Sequence, residues 1–212
     1  MDANEAQARM QEIQRIMERA TLFTLLPGTA AVVGGLLVLA GCAVSYAMFR
    51  SLDFADILYL SFVCQVAFCV MWFLIGVIGV LLEVILTTRA AARQELVPAD
   101  RPMRVAAFSL TPSVVVAMVL TVKFLIPVEP RAEEIRYIVP VWMMLYGTGV
   151  YTAGLFSIRP PRILGLAFIA SGIVALLFFP EYGVVSAALS FGLLHIVFGL
   201  YILRKRRPGV VA

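Results

Sequence analysis

Six runs of apolar residues follow one another along this chain with only short polar connections between them. Each approaches or exceeds the roughly 20 residues needed to cross a hydrocarbon core about 30 Å thick. A backbone in lipid must satisfy its own peptide hydrogen bonds, and these runs are too long and too continuously apolar for the alternating strands of a barrel, so they are read as helices. The pattern places them at 27–49, 56–88, 103–127, 137–158, 162–179 and 183–203. Composition agrees: 62% of the residues are hydrophobic and 14% are charged, against about 45–50% and about 25% in soluble domains. The expected architecture is all-α and polytopic. It has an amphipathic helix and linker over 1–26, a transmembrane domain over 27–203 and a basic tail over 204–212. The second run is longer than a bilayer requires, so it is expected to tilt or to continue toward Gln94.

Cations then orient the chain. Arg9, Arg15, Arg19, Arg89, Arg93, Arg101, Arg104, Arg159, Arg162 and the Arg204-Lys205-Arg206-Arg207 tail fall in one alternating set of connections, while the other set holds Arg50, Arg131 and Arg136. The positive-inside rule puts both termini in the cytoplasm, and the short loops and preference for Arg over Lys point to a multi-pass protein of the bacterial inner membrane. The formal charge of +4 is thus a topology signal and not a nucleic-acid footprint. Cys42, Cys64 and Cys69 all lie within apolar runs, which excludes a disulfide framework. L-A-G-C at 39–42 has the letters of a lipoprotein cleavage site. A charged segment precedes it and an apolar one follows, so it reads as part of the first helix.

Ahead of that helix, Met10, Ile13 and Met17 recur with Ala6 and Ala20 at helical spacing and form one narrow seam. Asp2, Glu5, Glu12 and Glu18 outnumber the Arg residues around it, so the seam is expected to meet protein and not lipid headgroups. Its candidate targets are the inner end of the second helix near Leu86 and Ala90, a partner, or a second copy.

The single histidine defines the polar interior. His195 shares a helix face with Ala188, Gly192 and Gly199, small residues that let another backbone come close, so the imidazole is expected to point between helices. Counting about 1.5 Å per residue puts it about 18 Å below the end of its helix. By the same count Cys69, Gln65, Tyr146 and Tyr151 are candidates for one polar layer with it. Three readings of the layer follow: an interhelical hydrogen bond from neutral His195, a proton or small-solute pathway, and a haem or metal site. The last is poorly supplied, with one histidine and no nearby carboxylate pair, and neither a metal nor a cofactor is expected. Glu83 lies toward the inner end of the second helix, either in hydrocarbon or at the interface paired with an Arg. Lys123 is expected to snorkel to the opposite interface. Pro112, in S-L-T-P-S, is expected to kink the third helix, and V-E-P-R-A-E-E-I-R-Y at 128–137 to form a solvated turn.

Motifs of enzyme chemistry do not occur: there is no H-E-x-x-H, P-loop or G-x-S-x-G. The opening I-Q-R-I-M-E-R-A-T-L-F and the closing L-L-F-F-P-E-Y-G-V-V-S-A-A-L-S-F-G-L-L-H-I-V-F-G-L-Y resemble a group of small bacterial inner-membrane proteins with six helices. The resemblance covers the two ends, implies the topology and marks G-L-L-H-I-V-F-G as a shared feature, and it implies no chemistry. The function expected is therefore that of a non-catalytic accessory or scaffold subunit binding a membrane or cytoplasmic partner. A transporter or sensor for a proton, lipid or small solute built around His195 is the alternative, and a haem-binding membrane protein a third.

Overall fold

Helix α1, Gly28–Phe49, ends where Arg50 turns into the left-handed region at φ 55, its N–H bonded to the Tyr46 carbonyl at 2.8 Å. A left-handed residue just past a helix satisfies one of the terminal carbonyls and redirects the chain. The computed structural model that shows this describes residues 28–92, 101–125, 132–155 and 159–205, with Glu5, Gln7, Arg9 and Met10. Beyond α1 come α2, Phe62–Ala92; α3, Arg101–Leu125; α4, Ile138–Leu155; α5, Arg159–Phe178; and α6, Gly183–Lys205. Six helices are long and apolar enough to span a membrane, and the described residues contain no strand. At 31 residues, α2 is about 46 Å long and exceeds the hydrocarbon thickness by half.

The second helix was expected from residue 56, but it begins at Phe62. Residues Phe54–Tyr59 instead form a 3-10 helix, the centre of a connecting segment over 51–60 that we call the strap. Asp53 causes the difference: its Oδ1 accepts the Ala55 N–H at 2.9 Å, nucleating a tight turn that ends at Leu60, whose N–H returns to Ile57. Hydropathy cannot separate such a strap from a transmembrane start, because Phe54, Ala55 and Ile57 are buried against the bundle. Residues 132–136, expected as part of a solvated turn, form a helical turn with Ile135 buried. The described part of α3 runs through Pro112 as helix.

The helices assemble around two hubs. α1 packs on α6 and α2, while α4 packs on α5 and α3. In lipid no hydrophobic effect drives helices together, so close approach of small residues must supply the contact, and glycines mark each hub. A Cβ on Gly35 would stand 2.5 Å from the Gly192 carbonyl oxygen, and one on Gly165 2.7 Å from that of Gly147. Gly41 faces Ile75 of α2, and Gly149 faces Leu110 of α3. Both tryptophans of the chain staple a hub to its outer neighbour. Trp72 of α2 donates to Ser45 of α1 at 3.2 Å, and Trp142 of α4 donates to Thr121 of α3 at 2.7 Å. Each hydroxyl passes its own proton to the carbonyl four residues back, Gly41 and Ala117, so no polar atom is stranded.

Candidate functional site

The two hub groups meet at His195. Residues 188–194 of α6 form a π-helix, with backbone bonds spaced by five residues, and His195 begins the α-helix that follows. Where the spacing changes, carbonyls at the junction need donors. His195 supplies one: its Nδ1 lies 3.0 Å from the Phe191 carbonyl oxygen. A carbonyl only accepts, so Nδ1 carries the proton and Nε2 is left as the acceptor of the neutral ring. Tyr146 of α4 fills that position, its hydroxyl donating to Nε2 at 2.8 Å. The histidine is thus both a patch within its own helix and a bolt to another.

Aromatic rings enclose the bolt. Phe168 of α5, with no exposed surface at all, meets Tyr146 edge-on at 5.0 Å and His195 at 5.2 Å. Phe191 lies 5.4 Å from Tyr146, and its ring is nearly parallel to the imidazole at 6.3 Å. Such tilted and edge-to-face pairs contribute about 0.5–1.5 kcal/mol each beyond their burial. Three helices are joined in this one cluster.

Of the polar layer expected from depth, the structure brings together His195 and Tyr146. Gln65 bonds instead to the Leu60 carbonyl at 3.0 Å, closing the start of α2. Cys69 packs on the edge of the apolar core, and Tyr151 is half-buried where α4 crosses Gly165 of α5. Glu83 is half-buried on α2. Lys123 is exposed near the end of α3. Gly192 and Gly199 are buried against Leu39 and Gly28 of α1, and Ala188 is partly buried against the core. Met10 is exposed on a helical segment where Arg9 pairs with Glu5 at 3.0 Å; Ile13 and Met17 lie outside the described residues.

A second polar contact had not been expected. Arg136 Nε lies 2.6 Å from Asp53 Oδ2, and the Asp53 side chain is only 11% exposed. The signal in the sequence was D-F-A-D, an acidic cap ahead of the apolar I-L-Y-L, which reads equally well as the start of a span. Among the described residues no three or more His, Cys, Asp or Glu side chains gather where a metal ion could be held. A haem or metal bound to His195 would have to displace either Tyr146 or the Phe191 carbonyl, so the residues present fit such a group badly. Compared with protein families, curated proteins and solved structures, the chain matches none.

Proposed function

We propose that this polytopic membrane protein is a non-catalytic accessory or scaffold subunit that engages a transmembrane partner along α2. The observation that carries the reading is the position of α2: it leans on α1 along one edge, and its most apolar 18-residue stretch has no buried residue. Gly76 and Gly79 sit on this helix with open space above them. Glycine covers little lipid and suits close helix pairing, so it is a poor choice for a surface that meets only acyl chains. The polar interior supports the same reading from the other side, since both nitrogens of His195 are engaged, one within α6 and one with Tyr146 of α4. The basic ends of the helices, at Arg89, Arg159, Arg162, Arg204 and Lys205, face the cytoplasm of a bacterial inner membrane in this reading.

Native mass spectrometry of the gently extracted protein tests it. A polypeptide of added mass that is lost in Gly76→Leu with Gly79→Leu, while the six-helix fold is kept, supports the proposal. A bare monomer overturns it. A transporter or sensor would instead reveal itself in reconstituted vesicles by a proton or solute flux that His195→Leu abolishes.

A further inference from the structure

The strap is a connecting segment, yet Asp53, Phe54, Ala55 and Ile57 within it are buried, and Ile57 is only 3% exposed. Connections normally run over the surface, where water can satisfy their backbone. This one is held in place by contacts to three other parts of the chain. Phe54 seats its ring edge-on to Phe68 at 5.5 Å and to Trp72 at 5.7 Å, both on α2. The start of α6 fits against the same ring, since a Cβ on Gly183 would lie 3.3 Å from it, and the Val184 N–H donates to the Leu52 carbonyl at 3.0 Å. The third contact is ionic, from Asp53 to Arg136 in the helical turn that leads into α4.

We propose that the segment from Ser51 to Leu60 is a latched strap closing one end of the helix bundle, with Phe54 as its plug and the Asp53–Arg136 pair as its latch. The division of labour follows from geometry. Phe54 fills the space between α2 and α6, while on the α4 side the strap packs against the helical turn 132–136 around buried Ile135, and the latch is the ionic tie across that contact. The two carboxylate oxygens of Asp53 do different things: Oδ1 shapes the strap through Ala55, and Oδ2 fastens it through Arg136. Released from Arg136, the strap retains its shape and loses its fastening. Swinging out, it uncovers Trp72 and the Ser45 hydroxyl behind it, a route from solvent into the α1–α2 contact.

The test separates shape from fastening and does not depend on which side of the membrane the strap faces. Full-length protein in lipid nanodiscs carries Ile57→Cys, and a polar maleimide is followed by peptide-resolved mass spectrometry, with buried Cys42 as the internal control. Asp53→Asn retains an oxygen for the Ala55 N–H and removes the charge; Arg136→Gln removes the other partner. The introduced thiol is expected to be protected in the parent. It should react about ten- to hundredfold faster in either variant, the range for loss of a hydrogen bond to a charged group, and no faster in the double variant. A thiol that reacts freely in the parent, an unchanged rate in either variant, additive effects in the double variant, or Cys42 reacting in step would each overturn the proposal. Iodide quenching of Trp72 in a Trp142→Phe background repeats the measurement with Ile57 intact: Asp53→Asn must raise quenching, and an unmoved quenching constant counts against the strap.

Discussion

Replacing Tyr146 with Phe removes one oxygen from the bundle and nothing else of its shape. The ring stays between Phe168 and Phe191, but His195 Nε2 loses the hydroxyl that donates to it at 2.8 Å. Interhelical hydrogen bonds in membranes average about 0.6 kcal/mol and reach about 1.7, and stranding a buried acceptor costs about 1–3 kcal/mol. We expect Tyr146→Phe to destabilise by about 1–2 kcal/mol. His195→Leu should do more, about 2–4 kcal/mol, because it strands both the Tyr146 hydroxyl and the Phe191 carbonyl. In the double variant the tyrosine hydroxyl is no longer there to be stranded, so its cost should not exceed that of His195→Leu alone. Reversible unfolding of the four proteins in mixed micelles measures this cycle. Nitrogen-15 spectra of labelled His195 should show a neutral ring protonated at Nδ1, and that signal should survive Tyr146→Phe. Costs that simply add, or a ring protonated at Nε2, would show that the hydroxyl and imidazole are neighbours without being a bolt.

Neighbouring glycines in α1 provide a matched pair. Gly35→Ala should lower stability by about 1–3 kcal/mol, since its methyl would meet the Gly192 backbone, while Gly34→Ala, with open space around it, should change stability by less than about 0.5 kcal/mol; thermal unfolding in nanodiscs reads both. Trp142→Phe should cost about 0.6–1.7 kcal/mol through loss of the bond to Thr121, a penalty that vanishes in a Thr121→Val background if the staple is its cause. Arg50→Gly should raise stability by up to about 1 kcal/mol, because φ 55 strains a side chain and not a glycine; a fall would mean that the Arg50 side chain holds the start of the strap.

The six spans were legible because the bilayer turns length and apolarity into architecture, and little else competes with that constraint. Depth counting along single helices put Cys69 level with His195, with Tyr146 and Tyr151 to either side, and of these it is Tyr146 that hydrogen-bonds the imidazole. It brought in Gln65 and Cys69 as well, and here counting was insufficient. Depth fixes one coordinate, and whether two side chains meet depends on which helices are adjacent and on the rotation of each. α2 borders α1 alone among the long helices in the principal contacts, so Gln65 turns to its own helix end and Trp72 to α1. The π segment was invisible because A-L-S-F-G-L-L has nothing in its composition that separates five-residue from four-residue bonding. The strap was invisible for a related reason: a loop buried against protein and a helix buried in lipid present the same apolar letters.

These differences share a physical origin. In water, apolar surface would fasten helices together with little regard for detail, whereas in lipid an exposed leucine is already at home and contributes little to association. Specificity must then come from the few groups for which lipid is the worse partner. Here those groups are placed at every junction: glycine backbones at α1–α6 and α4–α5, indole-to-hydroxyl bonds at α1–α2 and α3–α4, and His195 with Tyr146 where the two hub groups meet. A junction built on full charges, Asp53 with Arg136, involves the connection before α2 and the helical turn before α4, away from the middle of the spans, where desolvating both ions would be most costly. An isolated histidine in an apolar run therefore needs no reaction to account for it. A membrane bundle that widens one of its helices into a π turn requires a donor at the junction, and an imidazole that donates there on one nitrogen must find a hydroxyl for the other.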